Sequence, residues 1–255
     1  MNRYICPLLL FFFLGIACNQ KTVPLDRFAH IDDENAREII KASIAHAGGI
    51  DKWESIKHLK YNKDFSLLFG DGSVEKSFSQ VHDYNYDPLV IDIKSNENGD
   101  EVHTLLSGGK YSRTFNGKPS DATSANLAKA INTSTYVIGM PFKLLDPGVD
   151  IMYDGELLLD NGKLVDVIQV SYDPQKNSNH STADVWKYYF DKQDRKIVGN
   201  WVDAGDHANV IENLTFEKVG GILWNKKRKS WRLDSLGKKE YVRADYSYDN
   251  YEVEF

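Results

Sequence analysis

Two places in the chain carry residues whose types and spacing could do chemistry. One is Cys18, which directly follows an apolar run near the start of the chain. A thiol there is a nucleophile that can be alkylated by a lipid. The other is a polar group of Asp173, His180, Ser181 and Asp184. His180 and Asp184 are four apart, as metal ligands on one helix turn can be. The intervening Asp173-Pro174-Gln175-Lys176-Asn177-Ser178-Asn179 reads as a loop and not as a helix start. His180, Ser181 and Asp184 then either bond the loop backbone and fix the entry into the next strand, or form a site on a loop. No Gly-x-Ser-x-Gly, His-Glu-x-x-His, phosphate loop or dinucleotide fingerprint occurs. No catalytic residue, metal site or cofactor is assigned.

The start of the chain explains Cys18. Arg3 gives a short positive segment, and Leu8 to Leu14 is apolar with three phenylalanines at its centre. Gly15, Ile16 and Ala17 then lead to Cys18. A charged start, a short apolar core and a small-residue cleavage site make an export signal. The run is shorter than the ~20 apolar residues a membrane-spanning helix needs. Its end resembles a lipobox, with Leu14 one place early and Gly15 in its usual position. Lipidation of Cys18, with palmitate-type acyl chains, is one reading; ordinary cleavage near Ala17 is the other. With Cys6 in the removed segment, Cys18 has no partner for a disulfide. The domains expected are a signal peptide at 1–17, the lipidated cysteine and tether at 18–30, and a single domain at 31–255. Asn19 instead of aspartate, and the lack of an acidic run after Cys18, point by rule to the outer membrane, periplasmic side.

The formal net charge is −6, from 31 basic and 37 acidic residues. That balance argues against nucleic acid, which requires a basic face. The local exception is Lys226-Lys227-Arg228-Lys229 with Arg232, read as a solvated turn or as a patch for anionic headgroups.

The elements that position these residues follow from periodicity. Asp32 or Asp33 can cap a helix in which Ala36, Ile39, Ile40, Ile44 and Ala47 recur at helical spacing. Gly48-Gly49 stops it, and a short helical turn with Trp53 and Ile56 follows. From His58 the pattern becomes period two, punctuated by turns at Asp71-Gly72, Asn98-Gly99, Gly108-Gly109 and Asn116-Gly117. Between Ser120 and Pro147 the meander is interrupted by a small helix with Ala122, Leu127, Ala130 and Ile131. The most apolar stretch, Tyr136 to Leu145, comes next, and Pro141 can open a helical turn there. Strands then resume to the end, ten to twelve in all. The expected fold class is mainly β with α: a large curved antiparallel sheet with an N-terminal helix and a helical insertion on one face.

Several segments in order resemble an uncharacterised family of Gram-negative outer-membrane lipoproteins with the lipoprotein-carrier (LolA/LolB-like) fold. They are Ala45-His46-Ala47-Gly48-Gly49 with Trp53; Pro141-Phe142-Lys143-Leu144-Leu145-Asp146-Pro147-Gly148; and His180-Ser181 with Asp184, Trp186 and Tyr188-Tyr189-Phe190-Asp191. The resemblance implies an unclosed β-barrel with helices in its concave side, where the carriers hold acyl chains. Three functions compete. The first is a non-catalytic binder of a lipid, acyl chain or other apolar ligand, lined by Tyr136, Ile138, Met140 and Phe142. The second is an envelope scaffold with a filled core, acting through a surface such as Tyr241, Tyr246, Tyr248 and Tyr251. The third is a hydrolase using His180 and Asp184. The expected partners are the membrane, through the anchor, and an apolar ligand, with the chain a monomer.

Overall fold

The computed structural model describes residues 26–173, 175–176, 185–203 and 207–255. Cys18, His180, Ser181 and Asp184 lie outside the described residues. Helix α1 (Glu34–Ala47) starts where Asp33 accepts from the Ala36 backbone N–H at 3.1 Å. The other Asp33 oxygen accepts from the Tyr153 N–H at 2.9 Å, so one carboxylate caps the helix and ties it to a strand. Those backbone donors hold its pKa below the ordinary carboxylate value. Gly48 ends α1 with φ 128°, and a β-carbon there would meet the Gly221 carbonyl at 2.7 Å. Only glycine allows both that backbone and that approach. Helix α2 (Ile50–Glu54) follows.

The strands of the first meander are β1 (His58–Leu68), β2 (Val74–Tyr86), β3 (Leu89–Glu97), β4 (Asp100–Ser107), β5 (Lys110–Phe115) and the two-residue β6 (Lys118–Pro119). Helix α3 (Ser124–Ile138) and a 3₁₀ turn (Phe142–Leu145) interrupt it. The helix is one continuous element capped by Thr123, longer than the small helix expected from sequence. The second meander comprises β7 (Val149–Leu158), β8 (Leu164–Tyr172), β9 (Trp186–Asp191), β10 (Ile197–Asp203), β11 (Ala208–Val219), β12 (Ile222–Leu233) and β13 (Lys239–Glu254).

All thirteen strands of the described residues form one antiparallel sheet in the order β6-β5-β4-β3-β2-β1-β13-β12-β11-β10-β9-β8-β7. The two meanders meet where β1 pairs with β13. Among the described residues β6 and β7 do not pair, so the barrel is unclosed. These two edges are consecutive in the chain, and the segment joining them carries α3. It bridges the gap: α3 packs on β5, near one edge, and its Tyr136 bonds to β8 and β9, near the other. α1 packs against β12 and β7. The helices therefore cover one end of the concave face, where the main core lies. A second, smaller cluster of Val165, Val167 and Tyr189 sits on the opposite face of the sheet, with Trp201 and Val210 over it.

One expectation from sequence is corrected. Lys226 to Lys229 is not a turn; it lies inside the continuous strand β12. The strand splits the run. Lys226 and Lys229 pair with Glu217 and Asp245 at 3.2 and 3.8 Å, whereas Arg228 is buried.

Candidate ligand site on the concave face

Period-two geometry puts Leu59, Tyr61, Lys63 and Phe65 of β1 on the concave side. Register then places Tyr84, His82, Gln80 and Phe78 of β2 beside them, and Tyr248 and Tyr246 of β13 on the other flank. This shared face has two halves.

The half under the helices is packed solid. Phe142 stacks on Trp53 at 4.6 Å with the rings 5° from parallel. Trp53 stands 6.0 Å from Trp224, Trp224 stacks on Tyr251 at 5.2 Å, and Tyr251 lies 5.6 Å from Tyr61. Tyr61 stacks on His82 at 4.6 Å. An aromatic column thus runs from the 3₁₀ turn to β2. Each such contact adds about 0.5–1.5 kcal/mol to the burial of the rings.

The structure places all four residues expected to line a cavity, in different settings. Ile138 and Phe142 are buried in this core. Tyr136 shares its hydroxyl with Tyr188 at 2.9 Å and with Tyr172, a latch from α3 to β8 and β9. Burial raises the pKa of all three phenols, so they stay neutral donors and acceptors. Met140 borders a cavity of about 30 Å³ with Ser43, His46 and Asn225. That cavity is the size of one water, not of an acyl chain. Ser43 Oγ and Asn225 Oδ1 border it without a protein hydrogen-bond partner.

His82 marks the boundary between the halves. Its Nδ1 lies 2.7 Å from the Tyr84 hydroxyl and its Nε2 3.2 Å from Gln80 Oε1. Tyr61 and Tyr84 hydroxyls are 3.2 Å apart. A directional chain satisfies every member: Tyr61 donates to Tyr84, Tyr84 to Nδ1, and Nε2–H to Gln80. It requires a neutral imidazole. Burial enforces this, lowering the His82 pKa to about 3, with the Lys63 charge contributing.

The other half is half-buried and differently made. Phe65 stacks on Phe78 at 4.3 Å and lies 5.5 Å from Tyr246. Lys63 Nζ stands 4.6 Å from the centre of the Phe65 ring and 5.8 Å from that of Tyr246. From β12, the Arg228 guanidinium lies 6.0 Å from the same Tyr246 ring. Arg228 donates to Asn213 Oδ1 at 2.8 Å and to the Tyr248 hydroxyl at 3.4 Å, both neutral groups. The available signal for Lys63 in the sequence was a lysine in phase with Leu59 and Tyr61.

Other polar groups are dispersed. His82 faces the concave side, whereas His103 pairs with Asp92 at 3.0 Å on the other face. Of the expected tyrosine surface, Tyr248 and Tyr251 are buried in the core, and only Tyr241 borders an open polar groove with His207 and Arg232. Among the described residues no group of three or more His, Cys, Asp or Glu could hold a metal ion. No helix there is long and apolar enough to cross a membrane.

No family model and no curated protein matches the sequence. Solved structures do. A DUF1329 family protein from Desulfovibrio piger aligns with TM-score 0.51 and 11% identity over 86% of this chain and 92% of that one. An outer membrane lipoprotein-sorting protein domain from Vibrio parahaemolyticus aligns with TM-score 0.51 and 8% identity over the same shares, 86% and 92%. The chain has the lipoprotein-carrier fold, an unclosed antiparallel barrel with helices on its concave side. At these identities the likeness carries the fold alone.

Proposed function

We propose that the protein is an exported lipoprotein of the cell envelope that binds an apolar or amphiphilic ligand on its concave face without catalysis. One observation carries this reading. The concave face continues past its packed half into a strip of half-buried aromatic rings, Phe65, Phe78 and Tyr246. Apolar sites with few placed polar groups suit such ligands. In this reading Tyr136, Ile138, Met140 and Phe142 form the inner wall. They become ligand-lining when α3 moves and the Tyr136 latch opens. Cys18 carries the lipid anchor, which holds the domain on the periplasmic side of the outer membrane. Two or more acyl chains suffice for such attachment, each buried methylene adding about 0.8 kcal/mol.

The test is mass spectrometry of an organic extract of the full-length protein purified from membranes. A stoichiometric lipid beyond the acyl chains on Cys18 is expected. An empty extract, with no uptake of added lipids, would overturn the reading. It would favour the scaffold alternative, for which the packed inner half and its single-water cavity already speak. His180, Ser181 and Asp184, which lie outside the described residues, enter neither reading.

A further inference from the structure

We propose that Lys63 and Arg228 form an anion-binding end of the concave site and take the carboxylate or phosphate head of an amphiphile whose chain lies on Phe65 and Phe78. This rests on the ligand-binding reading above and specifies the ligand class. Both charges are costly where they stand. Among the described residues neither has a carboxylate within 4.0 Å, whereas Lys60 on β1, Lys226 and Lys229 on β12 and Arg243 on β13 do. Arg228 is only 8% exposed. A buried charge without a counter-charge is unfavourable unless something else compensates it. Two aromatic rings and two neutral acceptors are a weak substitute for an anion.

The two cations also converge. They sit on β1 and β12, which flank β13, and both reach the ring of Tyr246 from opposite sides of that strand. Their backbones are on the order of 10 Å apart by strand spacing. Burial lowers the Lys63 pKa, Tyr248 opposes this, and the Arg228 charge lowers it further, so the two cations repel each other. Like charges placed together on an aromatic floor are relieved by one anion between them, with charge-assisted hydrogen bonds from both. Glu97 is the acidic residue on this face of β3. It pairs with Phe78, two positions along β2 from Gln80, which pairs with Lys63, and it makes no ion pair with either cation. Arg228 forks toward Asn213 and Tyr248, which fix its plane and leave the remaining N–H donors for a ligand.

The test compares cis-parinaric acid, its methyl ester and inorganic phosphate on the full-length protein in a non-ionic detergent. The acid is expected to bind about tenfold or more tightly than the ester, one charge-assisted contact's worth of affinity. Lys63→Met keeps the apolar stem and should bring the acid down to the ester's affinity while leaving the ester unchanged. Arg228→Gln should do the same, provided its thermal melt stays cooperative; Lys63→Met carries the test if it does not. Equal binding of acid and ester to the wild type would overturn the headgroup assignment and leave the apolar ligand standing. Phosphate binding as tightly as the acid would overturn it in favour of a free-anion site. Binding of none of the three would overturn both readings.

Discussion

The two halves of the concave face use the same residue types to opposite ends. Under the helices, Tyr61, Tyr84 and His82 are buried and every polar atom of the three has a partner in the chain Tyr61–Tyr84–His82–Gln80. Two and four positions further along β1, Lys63 and Phe65 are half-buried, and the ammonium has rings around it instead of a carboxylate. In the first half these three side chains satisfy the rules for a stable interior; the second departs from them in a pair of cations without a counter-charge. Departures of that kind concentrate at functional sites because stability alone does not select them.

That contrast can be broken from either side. The largest effect belongs to the packed half. Trp224→Ala removes the centre of the aromatic column and a hydrogen bond to the Val219 carbonyl. It should cost about 3–5 kcal/mol in chemical denaturation. A loss under about 1 kcal/mol would mean that the column is not close-packed.

The boundary should respond to acid. His82 has a folded pKa of about 3 against 6.5 in the unfolded chain. The unfolded state therefore takes up the proton first as pH falls below 6.5, and stability drops from there toward pH 3. At pH 5 this amounts to about 2 kcal/mol. His82→Gln, whose carbonyl can still accept from Tyr84, should lose that much less stability between about pH 8 and pH 5. Parallel stability profiles for the two proteins would remove His82 from the neutral chain.

The smallest effect on folding belongs to the open half. Phe65→Ala should cost about 1–2 kcal/mol, less than Trp224→Ala, because the ring is only partly buried although it stacks on Phe78. Its effect on uptake of a fatty-acid probe should be the larger one. A stability loss as great as that of Trp224→Ala would erase the distinction between the halves.

Much of the frame is legible in the amino-acid sequence. Asp33, the Gly48-Gly49 stop and the turns at Asp71-Gly72 and Asn116-Gly117 are local signals, and local physics decides them. The strand run through Lys226-Lys227-Arg228-Lys229 is not legible there. A shift in the β11–β12 register near Asn213 to Phe216 leaves Lys226 and Lys227 both exposed, which breaks the period-two pattern where charge already hides it. The ladder of Phe142, Trp53 and Trp224 is hidden for another reason. Its members lie on three elements far apart in sequence, and only the sheet order brings them together. The apolar 136–145 segment is recognisable as the cover of the concave face. Its role as packed core depends on Trp53, which no spacing rule connects to it. The Lys63–Arg228 pair needs the β1–β13–β12 adjacency, a fact of topology alone.

The most direct test of the account is photo-crosslinking of a diazirine-bearing fatty acid to the full-length protein, followed by peptide mapping. Crosslinks on β1, β2 and β13, around Phe65, Phe78 and Tyr246, are the predicted result. Crosslinks confined to exposed apolar residues elsewhere, such as Leu157 and Leu158 at the tip of the β7–β8 hairpin, would contradict it.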